Sequence, residues 1–116
     1  MGIQYADKPK QTREMLVYSM EYVPGKSIAV GDSLTGSPTV VVTRLSDGHD
    51  VTADDALHIP PIVGMVEVAA QRQGNVVLVG IGNGDDGETY KVTFTCDTTA
   101  GELDVEEDLI LEVKNS

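Results

Sequence analysis

Hydrophobic and polar positions alternate most regularly over residues 90–96. Tyr90, Val92, Phe94 and Cys96 share one face there, and Lys91, Thr93 and Thr95 the other. A period of two marks a half-buried β-strand. Upstream, residues 76–81 are a near-continuous apolar run, which predicts a central strand. Downstream, Leu109, Leu111 and Val113 alternate with Ile110, Glu112 and Lys114 and predict a closing strand facing inward through the first set. Residues 82–88 (Gly-Asn-Gly-Asp-Asp-Gly-Glu) read as a hairpin turn whose Gly, Asn and Asp supply positive φ, and Thr98-Thr99-Ala100-Gly101 as the last turn. The last third of the chain therefore reads as a β-meander.

The earlier part carries weaker alternation of the same kind. Residues 14–23 contain Met15 and Val17, then Tyr18, Met20 and Tyr22, so the pattern changes phase and predicts a first strand with a break or bulge near Val17 and Tyr18, with a short helix as the competing reading. Pro24-Gly25 closes it as a turn. Residues 28–45 carry the next strands, with turn or bulge signals at Gly31-Asp32-Ser33 and Gly36-Ser37-Pro38 and a good strand at 39–45. Residues 46–55 read as an acidic loop, and Pro60-Pro61 excludes a central strand at that point. In residues 63–70, Met65 and Glu67 fall on one face and Val66 and Val68 on the other, before a turn at 71–75. About seven strands at regular spacing, with no βαβ alternation, predict an all-β antiparallel sandwich. Residues 1–13 are mostly polar and include Lys8, Lys10 and Arg13; they read as a short extended or flexible N-terminal arm preceding a single domain over 14–116.

Composition narrows the core and the partners. The chain has no tryptophan and one phenylalanine, so the core must be mostly aliphatic. Lys and Arg number 8 against 19 Asp and Glu, for a formal net charge of −11. Such a field repels nucleic acid, whose phosphates need clustered cations, and disfavours an anionic membrane surface. An acidic, solvated surface is the expectation, with docking onto a basic partner as the sharper alternative. Cys96 is the only cysteine, which excludes an internal disulfide. No apolar run is long enough to span a bilayer, and no signal-peptide h-region is evident.

Candidate chemistry is sparse. Asn83, Asp85, Asp86 and Glu88 offer oxygen ligands for Ca²⁺, but the EF-hand spacing is not met and a turn is the simpler reading. His49 and His58 are the only histidines, and His49 stands among Asp47, Asp50, Asp54 and Asp55, where a solvated loop is expected over a His–Asp site. The cluster from Glu102 to Asp108 reads as a solvated turn and strand start. There is no nucleophile elbow, CxxC, HExxH or P-loop. Gly84, Asp86, Gly87 and Tyr90 are expected to form a structural corner in which the tyrosine bonds back to the turn backbone. No catalytic residue, cofactor or metal ligand is expected; Lys8, Lys10 and Arg13 are the candidate interface.

Several short motifs occur in a suggestive order: EMLVYSMEY at 14–22, Gly31-Asp32-Ser33-Leu34, the turn from Gly84 through Gly87 to Tyr90, and Thr98-Thr99-Ala100-Gly101. In that order and spacing the chain resembles a family of small tailed-bacteriophage and prophage proteins with an immunoglobulin-like sandwich, found among virion structural proteins. The resemblance implies a non-enzymatic virion component, in head decoration, at the head–tail junction or in the tail. It would be assembled in the host cytoplasm and act by contact with other phage structural proteins or with itself. The alternative is an adhesin-like module gripping a ligand with its sandwich-end loops.

Overall fold

The computed structural model describes residues 2–115. Eight strands run in order: β1 (Gly2–Tyr5), β2 (Leu16–Glu21), β3 (Leu34–Arg44), β4 (His49–Asp50), β5 (Val66–Gln73), β6 (Val76–Ile81), β7 (Thr89–Thr98) and β8 (Val105–Glu112). They form a five-stranded sheet, β1-β8-β7-β3-β4, and a three-stranded sheet, β2-β6-β5. Among the described residues no helix is long and apolar enough to cross a membrane. With β2, β6 and β5 opposed to β8, β7, β3 and β4, the strand order is that of an immunoglobulin-like sandwich.

The core forms where the alternating faces meet. Val40 and Val42 of β3, Val92, Phe94 and Cys96 of β7, and Leu109 and Leu111 of β8 point inward from one sheet. Met20 of β2 and Val77, Val79 and Ile81 of β6 meet them from the other, with Tyr22 just beyond β2. Tyr22 is fully buried, and its hydroxyl lies 2.9 Å from the Phe94 carbonyl and 3.0 Å from the Val105 carbonyl. Immunoglobulin domains often join their sheets by a disulfide; here a phenol hydrogen-bonded to the opposite sheet spans that distance.

Several expectations need correction. The turn at 82–88 is not a hairpin: β6 and β7 lie in different sheets, so it crosses between them and the last third is not a meander. Glycine and aspartate signal a reversal but not which sheet the chain re-enters. β2 has no bulge. It pairs with β6 in unbroken register from Leu16↔Ile81 to Glu21↔Val76. The phase change arises because Met15 and Val17 are apolar but exposed on the outer face. The turn at 71–75 shrinks to Gly74 and Asn75, since β5 continues through Gln73. Within the acidic loop, Thr43↔Asp50 and Arg44↔His49 pair to make β4. Glu107 and Asp108 are buried rather than solvated.

The N-terminal arm is extended, but it lies on its own domain. Gly2–Tyr5 pairs with Glu107–Ile110 in parallel, so the sandwich is not wholly antiparallel. The contact continues past the strand. The Ala6 amide donates to Ile110, the Lys10 amide to Glu112 and the Lys114 amide to Lys10. Met1 of the expected arm lies outside the described residues.

At the far end, Asp32 ties the β2–β3 connection to the β7–β8 turn. Its carboxylate accepts from the Ser33 amide (2.8 Å), the Thr99 hydroxyl (2.8 Å) and the Ala100 amide (3.0 Å). The Thr98 hydroxyl, then Thr99 and these amides, lower its pKa from the ordinary 3.8 to about 2. Asp47 is likewise lowered to about 2, chiefly by its hydrogen bond to Arg44. Both pKa values fall on folding, so this stabilisation is complete above about pH 4 and is lost as pH drops toward 2. Melting temperature should therefore stay level from pH 7 to about 4 and decline below it. Asp32→Asn should flatten part of that decline, and an unchanged acid profile in the variant would refute the assignment.

Candidate functional site

The residues singled out in the sequence converge at the end of the sandwich where β6 crosses to β7. The chain must reverse there while passing close to the core. Gly84 (φ 99°) makes the approach: a Cβ on it would lie 3.0 Å from Met65 and from Val113. Gly87 (φ 85°) carries the second reversal, and its amide donates to the Val113 carbonyl at 2.8 Å. Tyr90, at the start of β7, is buried, and its hydroxyl accepts the Asp85 amide at 2.8 Å. This is a tyrosine corner. Burial pushes the Tyr90 phenol pKa up, keeping it a neutral hydrogen-bonding group.

The arm completes the corner. Lys10 is entirely buried; its ammonium donates to the Asn83 carbonyl at 2.7 Å and the Gln11 carbonyl at 2.6 Å. Burial lowers its pKa, against the opposing pull of Glu14 and Glu67. Lys10 is therefore no surface contact: it locks the arm onto the 82–88 crossover. Nothing in the sequence marks this lysine for burial. Lys8 and Arg13 are exposed, as an interface requires.

The carboxylates of this turn do not converge on one point. Asp85 faces Arg44, Asp86 accepts the Asn115 amide and Glu88 accepts the Ser46 hydroxyl. The Asn83 side-chain amide is spent on Gly64 and Glu67. Among the described residues no group of three or more His, Cys, Asp or Glu side chains could hold a metal ion.

A cleft of about 220 Å³ opens beside Tyr90, floored by Val51, Ile62 and Met65 and rimmed by Arg13, Arg44 and Asp85. Small-molecule sites usually start near 300 Å³. Arg44 is already committed, at 2.7 Å to Asp47 and 3.3 Å to Asp85. The lining holds no cysteine or histidine and no serine to serve as nucleophile or base. Cys96, in the core, has its thiol pKa raised by burial and donates to the Thr35 carbonyl.

The exposed apolar surface is more extensive than the cleft. Leu57 and Ile59 are 93% and 92% exposed on the loop before β5, and Met15, Leu16 and Val17 are exposed along β2. Among the described residues the outer edge of β2 has no strand partner, since β1 pairs with β8 instead. A second cleft, of about 640 Å³, lies along that edge between residues 4–9 and 16–19. The Tyr18 hydroxyl is buried there without a hydrogen-bond partner, and burial, followed by the charge of Glu14, raises its pKa to about 12. No protein-family model, curated protein or solved structure matches this chain.

Proposed function

We propose that this chain is a non-enzymatic structural subunit of a tailed-bacteriophage particle. It would act through protein–protein contacts in head decoration, at the head–tail junction or in the tail, after assembly in the host cytoplasm. The observation that carries this reading is the open edge of β2. Sheet edges invite strand addition unless they are short, bulged or charged. β4 has two residues, β1 has four, and β5 is broken by two register shifts. β2 has six residues in regular register, exposed apolar side chains at its start (Leu16 and Val17) and a cleft alongside that accommodates an extended segment. A neighbouring subunit can add a strand there, with exposed Lys8 and Arg13 facing an otherwise acidic partner. The motif order from EMLVYSMEY to Thr98-Thr99-Ala100-Gly101 supports the phage assignment.

Mass spectrometry of purified particles tests the location, and absence of the chain from them rejects it. The edge is tested by Val17→Lys. Val17 is 61% exposed, so the substitution should shift stability by no more than about 0.5 kcal/mol. It should nevertheless abolish incorporation into particles. Normal incorporation would remove β2 from the interface.

The adhesin-like reading draws on a different feature, the exposed Leu57 and Ile59 near the acidic 46–55 loop. Deleting the loop tip should abolish host-cell binding on that reading and leave it unchanged on the first.

A further inference from the structure

We propose that His49 and His58 together form a site for one divalent transition-metal ion of the Cu²⁺, Ni²⁺ and Zn²⁺ class. The two rings come from separate segments: His49 from β4, and His58 from the loop that leads to β5. Their centroids are 4.4 Å apart with the planes at 66°. With metal–nitrogen bonds of about 2 Å, two imidazoles at a right angle around one ion place their centroids roughly 4.5 Å apart. The observed edge-to-face spacing therefore matches that needed by two neighbouring coordination positions. The ring torsion of histidine is soft, so His49 can turn its ring to share an ion with His58 at little cost.

The hydrogen bonding of His58 supplies a second, independent indication. Its Nδ1 lies 2.7 Å from the Pro60 carbonyl oxygen. A carbonyl only accepts, so Nδ1 carries the proton and the neutral ring keeps its lone pair on Nε2. Metal-bound histidines characteristically donate their other nitrogen in this way, which fixes the tautomer and aims the ligand. The backbone on either side is fixed too. The His49 amide donates to Asp47 (3.1 Å) and the Leu57 amide to Asp55 (3.0 Å). Both rings are half-buried, so water reaches the site and fills the remaining coordination positions.

The donor set decides the class of ion. Imidazole suits Cu²⁺, Ni²⁺ and Zn²⁺, with Cu²⁺ held most tightly. Ca²⁺ and Mg²⁺ need an oxygen cage, and among the described residues no carboxylate joins the two histidines to make a group of three. A bound ion would link the β3–β4 hairpin to the loop that presents Leu57 and Ile59, so it would fix the posture of the most exposed apolar side chains.

The experiment is a calorimetric and thermal-melting titration of the whole chain, stripped with a chelator, using CuCl₂, NiCl₂, ZnCl₂ and CaCl₂ separately. One equivalent of each transition ion should bind and raise the melting temperature, in the order Cu²⁺ over Ni²⁺ and Zn²⁺, with no effect of CaCl₂. His49→Gln and His58→Gln should each weaken binding at least tenfold while melting like the parent without metal. Nitrogen-15 imidazole spectra should show His58 ligating through Nε2 with Nδ1 still protonated. Absence of saturable binding to the parent chain overturns the proposal, as does undiminished binding to the double variant.

Discussion

Replacing Tyr22 with alanine should destabilise the domain by about 3–5 kcal/mol, the range for emptying a large aromatic site in a packed core. The residue is fully buried at the end of β2, and its hydroxyl reaches two carbonyls of the opposite sheet. Loss of the ring leaves a cavity among aliphatic side chains, and loss of the hydroxyl strips a donor from buried acceptors. Tyr22→Phe separates the two effects. It keeps the ring and should cost about 1–3 kcal/mol, the penalty for an orphaned buried polar group. Equilibrium urea unfolding measures both. At roughly 4 °C or more per kcal/mol for a domain of this size, the alanine variant should melt well over 10 °C lower. A Tyr22→Phe variant as stable as the parent would show that the phenol does not tie the sheets together.

The second large effect is expected at Gly64. A Cβ there would lie 2.7 Å from the Ala53 carbonyl carbon and the Asp54 nitrogen, both backbone atoms with no side-chain freedom to yield. The same residue is gripped twice more: the Asp54 carboxylate accepts its amide, and its carbonyl accepts the Asn83 side chain at 3.0 Å. Gly64→Ala must push the 53–54 segment away, for a cost of about 1–3 kcal/mol typical of overpacking. The loosened segment is the base of the loop that presents Leu57 and Ile59. Limited proteolysis of the variant should therefore cut within residues 53–63 much faster than in the parent, along with a lower melting temperature. An unchanged digestion pattern would show that this close approach does not hold the loop.

What was legible in the sequence is what depends on local periodicity. The face Tyr90, Val92, Phe94 and Cys96 is buried as its alternation requires, and so is Leu109, Leu111 and Val113. Residues 76–81 form the middle strand of their sheet because an apolar run without polar breaks must be covered. The tyrosine corner was legible because a turn rich in Gly and Asp followed by Tyr is a local arrangement. Long-range choices were not. Lys10 looked like a surface cation, since a string of residues carries no sign of the carbonyls of Asn83 and Gln11 that meet it. The side by side placement of His49 and His58 depends on how β4 and the loop before β5 fold together, and no spacing rule marks it. The 82–88 segment announced a reversal, but it carried no sign that β7 joins the sheet of β8 and β3, where Val92 and Phe94 enter the shared core.

The parallel pairing of β1 with β8 has a mechanical consequence. A pull applied at Gly2 and at Asn115 draws β1 backward along its own direction and β8 forward along its own. The two strands are then loaded in shear. The backbone hydrogen bonds from Gly2–Tyr5 through Ala6 to the Lys10 bridge all bear tension together instead of opening one at a time. The domain pulled at these two points would therefore resist extension through this seam before strain reached the core.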